Sequence, residues 1–445
     1  MGNLLLINAR IVNEGRVAEG DVLVAGDRIE RIGGALSAPG AEVVDLAGRY
    51  VLPGVIDDQV HFREPGFPHK ATIASESRAA ICGGVTSFLD MPNNSPATID
   101  RAALEAKRAI AARSSSANYG FYLGATNSNL EEIKRVSPAE ACGIKVFMGA
   151  STGNMLVDDP RALEGIFAEA RLPVAVHCED TPMIRAAEQA FRERYGEDVP
   201  IEMHPRIRSA EACYKSSSLA VALAKRHGTR LHVLHLTTAR ELGLFEPGPI
   251  AGKRITAEAC VHHLWFDESR YADLGALIKC NPAIKSASDR EALVRGVVED
   301  RIDVIATDHA PHTLEEKSRK YFDAPAGLPL VQHSLGMLLE LHRRGLLSLA
   351  AIAEKAAHNP ARLFRIVDRG FVREGYFADL AIVDLEASTP VTRDRVLYKC
   401  GWSALEGEVL HSAVFMTVLN GVPVYREGRF AADVQGRALE FGARD

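Results

Sequence analysis

The sequence has no apolar run approaching the roughly 18 residues a membrane helix needs, so no transmembrane segment is expected. It has no basic block either. Its 52 lysines and arginines against 58 acidic residues leave a net charge of −6, which argues against nucleic acid as a partner. No Cys-x-x-Cys pair occurs. The seven cysteines (82, 142, 178, 213, 260, 280 and 400) are odd in number and scattered, which excludes a disulfide framework and reads as reduced thiols in a cytoplasmic protein. The segment Met1–Leu6 has no basic stretch and no long apolar core, so a secretory signal is not expected. No GxGxxG follows an early strand, which weakens a doubly wound dinucleotide-binding sheet. With 47% apolar and 25% charged residues the composition is that of an ordinary globular chain, not of a disordered or coiled-coil one.

What is present divides into three parts. At 445 residues the chain is too long for one small module. Residues 1–53 read as short strands, such as Leu4–Ile7, Asp21–Val24 and Arg28–Ile32, separated by glycine-containing turns. The same texture returns in Asp379–Val383 and Val414–Val418, with Asn420-Gly421 as a tight-turn signal. Between them, eight short apolar runs end at polar residues: Gly54–Asp57, Val85–Asp90, Tyr119–Leu123, Ile144–Met148, Pro173–His177, Leu231–His235, Arg254–Glu258 and Ile302–Asp308. Helical spacing at Ala103–Ala112 and Arg161–Ala170, and a capping box at Ser288–Glu291, fill the intervals. Eight strands alternating with helices imply an α/β architecture, a (β/α)8 TIM-like barrel whose chemistry sits at the strand C-termini.

The histidines are at those strand ends. Alternation along the first barrel strand places Gln59, His61 and Arg63 on one face. His177 and His235 end two more strands, and Asp308 ends the eighth, followed by His309 and His312. Lys145 lies inside an apolar run, where a lysine is costly unless neutralised, paired or modified. Imidazole and carboxylate suit zinc. Any one of these residues could be a satisfied core polar group. Together, at equivalent ends of different strands, they point to a metal centre.

These residues also carry a resemblance. Asp57–Gly66, Asp90–Asn94, Gly143–Lys145, His235–Thr238, Ala306–His312 and Gly401–Gly407 are similar to the amidohydrolase superfamily, and within it to the dihydroorotases of pyrimidine biosynthesis. The resemblance implies a metallo-barrel over 54–365 and a small β-sandwich domain built from both termini, 1–53 with 366–445. It implies that His61 and Asp308 bind one metal and that Lys145, His177 and His235 serve the other. Asp308 would be the catalytic base. Lys145 matches a lysine that many members carry as a carbamate bridging the metals. Arg63, Asn93 and His312 would grip a substrate carboxylate, and Asn281 the ring. One residue departs from the pattern: Gln59 stands where the family has a histidine. An amide is a poor zinc ligand, at most a weak contact, so one or two zinc ions per chain are expected.

The implied activity is zinc-dependent, reversible hydrolysis of (S)-dihydroorotate to N-carbamoyl-L-aspartate. Two alternatives stand beside it. One is another cyclic amidohydrolase, an allantoinase or dihydropyrimidinase, against which Arg63 argues because it suits a carboxylate-bearing substrate. The other is an inactive dihydroorotase-like partner of aspartate carbamoyltransferase, which the loss of a histidine at Gln59 favours and the retained remainder of the set opposes. The implied partners are a small-molecule substrate, a second copy in a homodimer, and aspartate carbamoyltransferase. Elsewhere, His204–Arg208 reads as a solvated basic turn, and His262-His263 as residues that shape the pocket. Thr313–Pro329 reads either as a loop over the site or as a surface connection.

Overall fold

Both ends of the chain build one sheet. In the computed structural model, which describes residues 2–149, 155–432 and 434–442, five strands come first. They are β1 (Leu4–Asn13), β2 (Arg16–Ala25), β3 (Arg28–Gly33), β4 (Glu42–Asp45) and β5 (Tyr50–Pro53). Eight strands follow: β6 (Val55–Val60), β7 (Val85–Asp90), β8 (Asn118–Gly124), β9 (Gly143–Phe147), β10 (Val174–His177), β11 (Leu231–Val233), β12 (Ile255–Cys260) and β13 (Val304–Ala306). The last six are β14 (Leu380–Asp384), β15 (Thr389–Pro390), β16 (Val409–Leu410), β17 (Ala413–Leu419), β18 (Val422–Arg426) and β19 (Arg429–Phe430).

The terminal strands form a nine-stranded, mostly antiparallel sheet in the order β19-β18-β17-β14-β5-β1-β2-β3, with β4 beside β1. The two ends of the chain meet where β5 pairs antiparallel with β14, Val51 opposite Ile382. Leu6, Val22, Val24, Ile29, Val51, Leu380, Ile382, Met416 and Val418 form this domain's own apolar core. The predicted Asn420-Gly421 turn joins β17 to β18. Its residues take φ of 48° and 81°, as a type I′ hairpin demands. A side chain at position 421 would sit 2.0 Å from the Gly26 carbonyl oxygen, so glycine is required there on two counts.

The eight middle strands, β6 to β13, run parallel in sequence order. The ring closes where Val60 bridges His309 and the His61 amide donates to the His309 carbonyl at 2.7 Å. All eight predicted runs are therefore barrel strands, buried on both faces as a parallel sheet requires. Crossover helices cover the outside, among them Arg101–Ser114, capped by Asp100, and Ala210–His227, capped by Ser209. One cap lies elsewhere than expected. The helix Ala287–Val298 starts at Ser286, whose hydroxyl accepts the Asp289 amide hydrogen at 3.1 Å. Two serines, 286 and 288, each precede an acidic residue three positions on, and the first takes the cap.

The loop after β7 carries Asn93 and is pinned from below. The Lys107 ammonium, buried in the helix Arg101–Ser114, lies 2.6 Å from Asp90 Oδ2 and donates at 2.7 Å to both the Met91 carbonyl and Asn94 Oδ1. Both charged groups are fully buried, so each would be costly alone and the pair fixes the loop's path.

Candidate active site

All ten residues singled out in the sequence line one cleft at the C-terminal mouth of the barrel. They are Gln59, His61, Arg63, Asn93, Lys145, His177, His235, Asn281, Asp308 and His312. Its free volume is about 100 Å³, the scale of a small ring compound and not of a polymer. Three of the ten stand on strained backbone. Arg63, His235 and Asp308 have φ of 66°, 40° and 47°, left-handed values that non-glycine residues avoid. Such strain costs roughly 1–3 kcal/mol per residue and persists where the surrounding fold imposes it, typically at functional sites.

The cleft has two halves. In one, His177 Nδ1 and His235 Nε2 face each other at 3.0 Å. His177 is oriented from behind: its Nε2 lies 3.0 Å from Glu179 Oε2, which also accepts from Arg208. Placing the His177 proton on Nε2 leaves a lone pair on Nδ1, aimed at His235. Burial holds the pKa of both imidazoles below the usual histidine range, for His235 well below, with His177 and Lys145 adding to the effect there. Two neutral imidazoles converging on one point fit a shared cation.

Lys145 stands beside them, 1% exposed. No described residue hydrogen-bonds to its Nζ or pairs with it; the Phe147 ring lies 4.6 Å away. Burial lowers its pKa to about 8, against the opposing pull of Asp308 and Glu258. A buried amine with no partner among the described residues and a lowered pKa can, through its neutral form, take up carbon dioxide. The carbamate would give the imidazole pair an anionic oxygen neighbour. The donor set therefore fits a metal.

Glu179 shows how much of this geometry comes from outside the cleft. Its pKa is about 2: burial pushes it up, and Arg208 with His177 outweighs that. Glu179→Gln is expected to weaken metal binding about 10–100-fold, the usual penalty for losing the carboxylate behind a ligating histidine. Competition with a metallochromic chelator measures it. Unchanged affinity would show that Glu179 does not act through His177.

In the other half, Asp308 Oδ1 lies 3.1 Å from His61 Nε2 and accepts from Gln59 Nε2 at 3.2 Å. His61 Nδ1 lies 2.7 Å from Asn93 Oδ1. Burial would raise the Asp308 pKa, yet the hydrogen bond and charge of His61, with His262 and Lys145 adding, hold it below the ordinary aspartate value. Asp308 is thus an anionic proton acceptor at neutral pH.

The wall beyond it is cationic. Arg63 is 8% exposed, and no carboxylate among the described residues pairs with it. Its Nε donates to the Pro311 carbonyl at 3.1 Å, and its NH2 lies 3.0 Å from His312 Nε2. Burial lowers the pKa of this guanidinium to about 10, which still leaves it charged. Lys70 Nζ meets the other ring nitrogen of His312, Nδ1, at 3.0 Å, and lies 3.0 Å from Glu316 Oε1. Burial, then Arg63 and Lys70, keeps His312 neutral. Trp402, in the Gly401–Gly407 stretch, donates from Nε1 to the His312 carbonyl at 2.7 Å. Asn281 Oδ1 is buried without a hydrogen-bond partner among the described residues. A buried cation that no carboxylate contacts directly among the described residues, with Asp308, Asp90 and Glu316 acting on it only at longer range, suits an anionic ligand with hydrogen-bonding groups.

The segment 313–329 forms part of this wall through Ala326 and Gly327. Two buried lysines hold it. Lys317 Nζ donates to the carbonyls of Lys279, Pro325 and Gly327, and Lys279 Nζ to those of Tyr321 and Ala324, at 2.5–3.1 Å. The sequence had left this segment open between a loop over the site and a plain connection.

The basic turn His204–Arg208 is not solvated as expected: His204 is fully buried between Tyr321 Oη and the Cys280 carbonyl, and Arg208 is the partner of Glu179. Its isoleucine and proline bury it, and charge alone hid this. His262 and His263 are buried but do not line the cleft; His263 Nε2 lies 3.1 Å from the Pro282 carbonyl, behind Asn281. Asp57 and Asp58 also face elsewhere, toward Thr307 and His232. Sequence reasoning missed Lys70, Glu179 and Arg208. Glu179 had a signal, a carboxylate two residues beyond a strand-end histidine.

Comparison with known proteins agrees with this geometry. The Amidohydrolase family model matches residues 50–424. A dihydroorotase of Halobacterium salinarum is 35% identical over 96% of this chain and 99% of its own. An allantoinase of Solibacter usitatus is 32% identical over 99% of this chain and 97% of its own. An L-hydantoinase (dihydropyrimidinase) from Arthrobacter aurescens superposes with a TM-score of 0.94 at 25% identity, covering 99% of this chain and 100% of that one. A parallel barrel carrying an imidazole pair, a buried lysine and an anionic aspartate at its mouth, matched over nearly its whole length by hydrolases of cyclic amides, places this chain in the amidohydrolase family.

Proposed function

We propose that this cyclic amidohydrolase is a dihydroorotase. Arg63 carries the reading. A buried guanidinium facing the cleft, with no carboxylate partner among the described residues, suits a ring that bears a carboxylate, as dihydroorotate does and allantoin, hydantoin and dihydrouracil do not. Asn93 and His312 stand beside it for the remaining carboxylate hydrogen bonds, and the unpartnered Asn281 Oδ1 suits a ring N–H.

Lys145, His177 and His235 would hold zinc, and His61, Asp308 and Gln59 form the other half of the cleft. The metal, when bound, supplies a Lewis acid that polarises the ring carbonyl and lowers the pKa of water. The other steps belong to the chain. Arg63 orients the ring with its amide carbonyl toward the imidazole pair. Asp308 takes the proton of the attacking water and returns it to the ring nitrogen as the C–N bond breaks. Run backwards, the same groups close N-carbamoyl-L-aspartate. In this reading residues 54–365 form the catalytic domain, and 1–53 with 366–445 the sheet domain.

Turnover of dihydroorotate, allantoin and dihydrouracil by zinc-loaded protein, each with a chelator-treated control, tests the reading. Chelator-sensitive opening of dihydroorotate, at least 100-fold above the other two in kcat/KM, is the expected result. Preference for allantoin or dihydrouracil would assign the site to that substrate. No turnover of any of them by metal-loaded protein would favour an inactive partner of aspartate carbamoyltransferase.

A further inference from the structure

Gln59 has specific surroundings. It is 1% exposed, and its Nε2 donates to Asp308 Oδ1 at 3.2 Å, the same oxygen that lies 3.1 Å from His61 Nε2. Its Oε1 accepts from the buried Cys260 thiol at 3.6 Å. Charge sets this orientation. Turning the amide over would point its oxygen at the Asp308 carboxylate, acceptor against acceptor, and would also forfeit the contact with Cys260. The amide thus fastens the same Asp308 oxygen that His61 meets.

We infer that this enzyme works with a single metal ion per chain, held on the Lys145–His177–His235 side, and that the Gln59 amide does the work of a second ion in positioning Asp308. The inference rests on the reading of the cleft as a metal centre. A cation between His61 Nε2 and Asp308 Oδ1 would compete with the Gln59 N–H for that oxygen. It would then find only a neutral amide oxygen where an imidazole nitrogen is needed. The hydrogen-bond donor is already in place, so Asp308 is oriented without that cation. Gln59 is a positioning residue: it acts through Asp308 and does not touch the reacting atoms.

The test is a metal count, which does not depend on the substrate. Protein reconstituted with excess zinc and freed of loosely bound ions is expected to retain one zinc per chain by atomic emission. Gln59→His, which restores the imidazole, is expected to retain two. Two ions in the wild type, or one in Gln59→His, would overturn the inference. Gln59→Met removes the N–H at nearly constant volume. It should keep one zinc and the wild-type KM while kcat falls roughly 10–100-fold, the loss expected for a hydrogen bond to a charged group. Wild-type kcat in that variant would end the positioning role. The cobalt-substituted protein supplies a further check. It should show no thiolate-to-cobalt charge-transfer band; a band abolished by Cys260→Ser would mean that the thiol, and not the amide, replaced the imidazole. Protein that retains no metal would overturn both this inference and the metal-centre reading. Protein with one zinc that fails to open dihydroorotate would sink only the substrate assignment.

Discussion

Asp308→Asn is expected to lower kcat for dihydroorotate by about 10³–10⁴-fold, the upper range for loss of a proton-transfer group, while the protein stays folded. The amide keeps the shape and, through its oxygen, the contacts with Gln59 Nε2 and His61 Nε2 at 3.2 and 3.1 Å. It cannot accept a proton at neutral pH. The structure also gives a reason for the fold to tolerate the change: the substitution removes a buried charge, whose burial opposes ionisation. Steady-state kinetics and a thermal melt on the same preparation separate the two effects. Turnover within tenfold of wild type would remove Asp308 from the proton-transfer step. A melt lowered by tens of degrees would make the kinetic loss a folding defect.

Arg63→Gln should cost about 10²–10³-fold in kcat/KM for dihydroorotate, since truncating one partner of a buried charged pair costs a few kcal/mol. The loss should be selective. Arg63 has no carboxylate partner among the described residues, so its removal strands no anion in the free protein, and the penalty falls on a substrate that brings one. Any residual opening of dihydrouracil, which carries no carboxylate, should change by less than tenfold. An equal loss on both substrates would mean that Arg63 holds up the cleft wall through Pro311 and His312 and does not read the substrate. A lysine at this position is not an equivalent control, because it presents a point charge and not a planar fork.

The barrel could be read from the sequence because a parallel strand is buried on both faces. Each strand therefore shows as an unbroken apolar run, and the residue where polarity resumes marks the catalytic end. That rule identifies His177 directly, and Asp308 two residues beyond the end of β13 at Ala306. It reaches His235 although β11 ends at Val233, because the apolar texture runs past the last paired residue. Asn93 and Asn281 came from motif resemblance. The residues missed act sideways. Lys70 comes from the loop between Gly66 and the helix Ile73–Cys82, and Arg208 from a turn between helices; both owe their place to tertiary packing. The closing of the two termini into a single sheet was legible as matching texture at both ends. Its register, Val51 against Ile382, was not, since nothing local specifies a partner more than 300 residues away.

The lysine-held segment beside the cleft has a consequence for how its sequence can drift. Lys317 and Lys279 grip main-chain carbonyls, and a carbonyl is present whatever side chain the residue bears, proline included. The shape of the wall therefore does not depend on the identity of its exposed members, such as Glu315, Arg319, Lys320 and Asp323. The constraint falls on buried or half-buried members instead: the two lysines, the Thr313–Glu316 capping box, Tyr321 against His204, and one glycine. At Gly327, with φ of 134°, a side chain would strike the Ala310 carbonyl oxygen at 2.5 Å. Mutation of the outer surface of this loop is thus expected to leave the shape of its cleft-facing side, at Ala326 and Gly327, unchanged.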